Sequence, residues 1–228
     1  MTRRQALARL RAAGSPRNVE GMARYGIIAR SAFGVPTPAV ERLAREIGRD
    51  PSLARQLWET GNLDARALAV LIEDPALVTE PQMERWVRDF DNWAVCDGCC
   101  MHLFDRTRFA WDKARKWPAR PEEFVKRAGF TLMAALAVHD KQAPDRRFMS
   151  FLPIIRREAT DERKYVMKGV NWALRAIGKR NPALNQAAIR AAEEIRLLDS
   201  PAARWIAADA LRELRSEAVS RRLASRRG

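Results

Sequence analysis

The feature that most limits what this chain can fold into is a recurrence of short apolar segments at helical spacing, each cut off by a turn signal. Leu53, Leu57, Leu63, Leu68, Leu71 and Ile72 are one such series, broken by Gly61-Asn62 and ended by Asp74-Pro75. Apolar residues three and four apart share one stripe of a helix, so each segment buries one face and cannot fold alone. About a dozen short helices are expected, with starts near Pro16, Pro36, Asp50, Asn62, Thr79, Pro121, Ala143, Thr160, Pro182 and Ser200. Most of these positions offer an N-cap side chain or a proline whose fixed φ suits the first helical turn. With Ala, Leu and Arg recurring, and only 11 Gly and 2 Tyr, the composition favours helix over strand.

Four of the segments resemble one another, beginning at Arg66, Arg127, Lys168 and Arg204, and in each a basic residue opens an apolar run. The later intervals fall near the roughly 40-residue period of two-helix HEAT or armadillo units. The expected fold is therefore all-α: a HEAT-like, armadillo-like solenoid of antiparallel helix pairs, forming one domain over residues 1–228. Such a stack has a concave face lined by the second helix of each pair, and the repeated cations would make it basic. The arginine-rich tail over 212–228 either extends that surface or frays.

Forty-two Lys and Arg against 28 Asp and Glu leave a net charge of +14, which favours a polyanionic partner, nucleic acid before an anionic membrane surface. Met1–Arg11 has no long apolar stretch, and nowhere do about 18 apolar residues run uninterrupted. Cys96, Cys99 and Cys100 form an odd cluster that fits a reducing compartment better than a disulfide framework. A soluble cytoplasmic protein is the expectation. The thiols are read as small buried core groups; Cys-x-x-Cys has no second pair to complete a zinc site, and no metal is expected. His139 is read as a helix-end or surface residue.

Two segments combine aromatic and charged residues. In Trp86-Val-Arg-Asp-Phe-Asp-Asn-Trp93-Ala-Val-Cys-Asp97, capping by Asp91 or Asn92 puts Trp93 in the first helical turn and Asp97 one turn on, on the same face. A ring face attracts positive charge and a carboxylate stabilises it, so the pair suits a cationic reacting centre. A core tryptophan above an aspartate paired with arginine fits the same spacing. In the second segment, Lys168, Trp172 and Arg175 share a face suited to sugar and phosphate, although a tryptophan in a repeat helix also fits a core position. Arg127 is open between phosphate contact and surface charge.

Met22-Ala-Arg-Tyr25-Gly-Ile27, Phe33-Gly-Val-Pro36-Thr-Pro38, Trp86 to Asp97, Phe124-Val-Lys-Arg127 and Asn171-Trp172-Ala-Leu-Arg175 occur in an order and spacing that resembles the AlkD-like DNA alkylation repair family, over roughly residues 20 to 214. The resemblance implies a DNA glycosylase of HEAT-like repeats that removes cationic N3- and N7-alkylated purines from double-stranded DNA, as a monomer without cofactor. It implies that Asp97 is the carboxylate near the lesion sugar, that Trp93 and Trp172 flank the damaged nucleotide, and that Arg127 and Tyr25 contact DNA beside it. Two other readings stay open: a repeat protein that binds damaged or branched DNA without catalysis, and a scaffold for an acidic protein.

Overall fold

The computed structural model describes residues 1–225, and every regular element among them is helical: fifteen α-helices and two short 3-10 turns. None of these helices is long and apolar enough to cross a membrane. The chain separates into two compact units, Met1–Phe109 and Ala110–Gly228.

The first unit holds α1 (Arg3–Ala13), α2 (Pro16–Arg24), α3 (Thr37–Ile47), α4 (Pro51–Trp58), α5 (Leu63–Ile72), α6 (Glu80–Arg88) and α7 (Trp93–His102), closed by a 3-10 turn at Phe104–Arg106. Local chemistry sets most starts. The side chains of Asp50, Asn62 and Thr79 each accept a backbone N–H from the first turn they precede, satisfying donors that a helix N-terminus leaves orphaned. The central helix is α5, packed against α3, α4 and α7. Beside it, the Trp58 and Trp86 rings stack with centroids 4.0 Å apart, and Phe90 and Phe104 complete the aromatic core.

One buried carboxylate organises the connection between α2 and α3. Asp64, 3% exposed, accepts the backbone N–H groups of Phe33 at 2.6 Å, Gly34 at 3.1 Å and Val35 at 3.0 Å. These N–H groups belong to no helix or sheet, so the carboxylate supplies the partners that burial demands. Gly34 sits at φ +74°, and a Cβ there would lie 2.4 Å from the Ser15 carbonyl oxygen, so both backbone shape and space require glycine.

The second unit holds α8 (Ala110–Lys116), a 3-10 turn at Trp117–Ala119, α9 (Glu123–His139), α10 (Asp145–Met149), α11 (Leu152–Arg157), α12 (Lys164–Gly178), α13 (Pro182–Arg196), α14 (Pro201–Leu214) and α15 (Glu217–Ala224). Here α12 packs along α9 on one side and α14 on the other, while α13 pairs with both α12 and α14. A constant offset reveals the repeat. Arg127 meets Tyr165, Asn171 meets Asp209 and Arg175 meets Glu213, each across 38 residues, and Arg156 of α11 pairs with Glu194 of α13 at that same separation. The roughly 40-residue period expected from the sequence is thus a structural register linking successive layers.

The tail is helical to Ala224. Arg212, Arg215 and Arg221 form ion pairs with Asp209, Glu193 and Glu217, so much of its positive charge is met within the protein. Arg226 and Arg227 lie outside the described residues.

Candidate nucleic-acid interface

In the first unit the candidate site is built on α7. Asn92, 2% exposed, caps it by accepting from Ala94 N at 3.0 Å and Val95 N at 3.1 Å, which fixes Trp93 as the first helical residue. Asp97 follows one turn later, and both side chains are half-buried, reachable from solvent while seated on the helix. The Trp93 indole donates from Nε1 to the Tyr25 carbonyl oxygen at 3.0 Å, tying α7 to the residue that ends α2. The Tyr25 side chain is 77% exposed.

The other face of α7 buries Val95, Cys96, Cys99 and Cys100. Burial pushes the Cys99 and Cys100 thiols well up, which keeps them protonated and poor nucleophiles. They are packing groups, as expected. Alongside lies an apolar cavity of about 260 Å³ lined by Met22, Ile27, Val40, Leu63, Val70 and Val95, among others. His139 is the exposed last residue of α9.

In the second unit the predicted residues fall on α9 and α12. Trp172 is half-buried and Lys168 exposed. Arg127 is not a surface charge: it is 6% exposed, and its Nη1 donates to the Tyr165 carbonyl at 2.6 Å, bracing α12 against α9. Arg175 pairs with Glu213 at 2.5 Å and Asp209 at 3.3 Å, and Lys179 reaches Glu213 at 2.6 Å. Burial pushes the Glu213 carboxyl up, but Lys179 and Arg175 outweigh it and hold the group below the usual carboxylate range.

The four cations that open the repeated segments have therefore divided roles. Arg66 donates to the Asp89 carbonyl at 2.9 Å and lies 5.0 Å over the Trp58 ring, while Arg127 points inward; Lys168 and Arg204 are exposed. Sequence reasoning did not single out Trp205 of α14, which is 41% exposed and follows the exposed Arg204. Its signal was available: Ala203, Ile206, Ala207, Ala210 and Leu214 form the buried stripe, and Trp205 falls off it.

Paired helices in register, carrying cations and half-buried indoles, define an all-α protein of the HEAT-like repeat class. The family model for the DNA alkylation repair enzyme matches residues 6–218, and the chain belongs to that family. Among solved structures, one superposes with a TM-score of 0.78 over 93% of this chain and 95% of its own, at 22% identity. That protein is described as one of a new family related to the HEAT-like repeat DNA glycosylases with affinity for branched DNA structures. A search among curated proteins finds no match.

Proposed function

We propose that this protein is a DNA glycosylase that hydrolyses the N-glycosidic bond of cationic N3- or N7-alkylated purines in double-stranded DNA, acting as a monomer without cofactor. The observation that carries the reading is Trp93 and Asp97, capped into adjacent turns of α7 and both open to solvent, in a chain of the DNA alkylation repair family. Alkylation leaves positive charge on the base, so the bond to C1′ breaks with its electron pair passing to the base, which departs neutral. Little acid catalysis is needed. The sugar becomes oxocarbenium-like; the Asp97 carboxylate stabilises it and orients the water that adds at C1′ and gives up its proton to solvent, and the Trp93 ring face attracts the same charge.

The other residues divide by their surroundings. Lys168 and Trp172 offer α12 to phosphate and sugar, and Tyr25, whose carbonyl Trp93 holds, presents its exposed ring to the DNA. Arg127 and Arg175 serve by keeping α12 seated, Arg127 through the Tyr165 carbonyl and Arg175 through Glu213.

The test is release of 3-methyladenine or 7-methylguanine from N-methylated DNA. Asp97→Asn should release base about 100-fold more slowly, the scale of losing one electrostatic stabiliser. Release by the variant at the wild-type rate would remove Asp97 from the chemistry. The solved relative's affinity for branched DNA favours a second reading, a repeat protein that binds distorted DNA without cleaving it. Tight, salt-dependent binding with no base released from any alkylated substrate would establish that reading instead.

A further inference from the structure

The segment from α2 to the start of α3 does not behave as a core element. No residue of α2 is buried, and the loop after it alternates: Ile27 lines the apolar cavity, whereas its neighbour Ile28 is 78% exposed. The loop is nonetheless held at several points. The Trp93 indole fixes the Tyr25 carbonyl, Leu63 N donates to the Ser31 carbonyl at 2.9 Å, Asn62 Nδ2 donates to Ser31 Oγ at 3.0 Å, and Asp64 holds residues 33 to 35. A fixed loop that carries an isoleucine into solvent gains little folding stability from that side chain.

The charge around it points to the partner. Arg17 and Arg24, two turns apart on α2, and Arg30 in the loop are all exposed, and among the described residues none of the three meets a carboxylate. This contrasts with Arg212, Arg215 and Arg221 of the tail, each of which meets a carboxylate. An exposed aliphatic side chain flanked in sequence by unneutralised arginines fits nucleic acid: phosphates take the cations, and an aliphatic side chain slips between bases whose stacking is already interrupted. In continuous duplex the base faces are covered, so the tip gains only where a strand is broken, branched or unpaired.

We propose that the loop Tyr25–Arg30 is a wedge that recognises DNA discontinuities, with Ile28 packing on an exposed base face while Arg17, Arg24 and Arg30 hold the flanking phosphates. The inference rests on the DNA-binding reading above and adds to it a preference among DNA forms.

The experiment measures binding of the full chain to a continuous duplex and to a three-way junction of the same length, with 2-aminopurine at the branch base, for the wild type and for Ile28→Ser. The wild type should prefer the junction and brighten the probe; the variant should lose about tenfold in junction affinity, the scale of covering one aliphatic side chain, with the brightening, while duplex affinity stays within about twofold. Equal thermal melting of the two proteins certifies the comparison, and a double Arg24→Gln, Arg30→Gln variant, which leaves Ile28 in place, should reduce the salt slope on both DNAs by about 2. Junction binding by Ile28→Ser equal to the wild type, or a wild type with no junction preference, overturns the wedge. Base release from methylated duplex, measured on the same samples, separates the two ideas: release unchanged in Ile28→Ser alongside a failed wedge leaves the glycosylase reading standing. A wild type that binds neither DNA defeats both.

Discussion

Buried carboxylates in this protein are used in opposite ways. Asp64 has three backbone N–H donors, whereas Glu73, fully buried, has among the described residues two donors, Gln82 Nε2 at 2.7 Å and Asp74 N at 3.0 Å. For Glu73 burial outweighs those bonds and raises the carboxyl above its ordinary value. A carboxyl raised in the folded state favours the protonated form, so its contribution is most favourable below the unfolded value of about 4.3 and is lost as pH rises through and beyond it. Urea midpoints of the wild type and Glu73→Gln should therefore diverge from pH 4 to pH 7, with the variant gaining relative to the wild type. A constant difference across that range would mean that folding does not raise the Glu73 carboxyl. The Trp93–Asp97 face was legible because its geometry depends only on a four-residue spacing and a local cap. The partners of Arg127 and Arg175 were not, because each lies 38 residues away in a neighbouring layer.

At the scale of elements, caps made the starts of α4, α5, α6 and α14 readable, since Asp50, Asn62, Thr79 and Ser200 each act through their own side chains. The start expected near Thr160 falls instead at Lys164, because Asp161 Oδ1 accepts the Arg163 N–H at 3.1 Å and keeps the intervening residues in a turn. The brief helix α11 escaped a reading based on periodicity, being shorter than the window that reveals a stripe, whereas α10 begins at Asp145, close to the start expected near Ala143. Packing between elements shows in small residues. At Gly129 on α9, a Cβ would lie 2.5 Å from Pro118 Cδ in the neighbouring 3-10 turn. Gly129→Ala should cost roughly 1–3 kcal/mol in chemical denaturation, since the rigid proline ring has nowhere to move. An unchanged midpoint would show that the turn slides freely on α9.

For the molecule as a whole, the +14 charge indicates the class of partner but not which cations meet it. The fold sorts them: Arg66, Arg127, Arg175 and Lys179 are engaged within the protein, while Lys168 is exposed on α12. Lys168→Gln should weaken binding to every DNA sequence alike and flatten the dependence of log affinity on log salt by about 1, measured by titration between low and physiological salt. Sequence-selective weakening, or an unchanged slope, would remove Lys168 from the backbone contacts.

The equal separation between partners in the second unit has one more consequence. Because the main helix packing joins successive layers, α9 with α12, α12 with α14 and α14 with α15, a defect introduced into α15 should loosen α14 and fade before reaching α9, so amide exchange would rise in a gradient along the stack rather than everywhere at once. Evolution or design could then lengthen such a chain by whole cassettes, whereas adding or deleting a single residue between α12 and α14 would leave Asn171 and Arg175 facing the wrong neighbours.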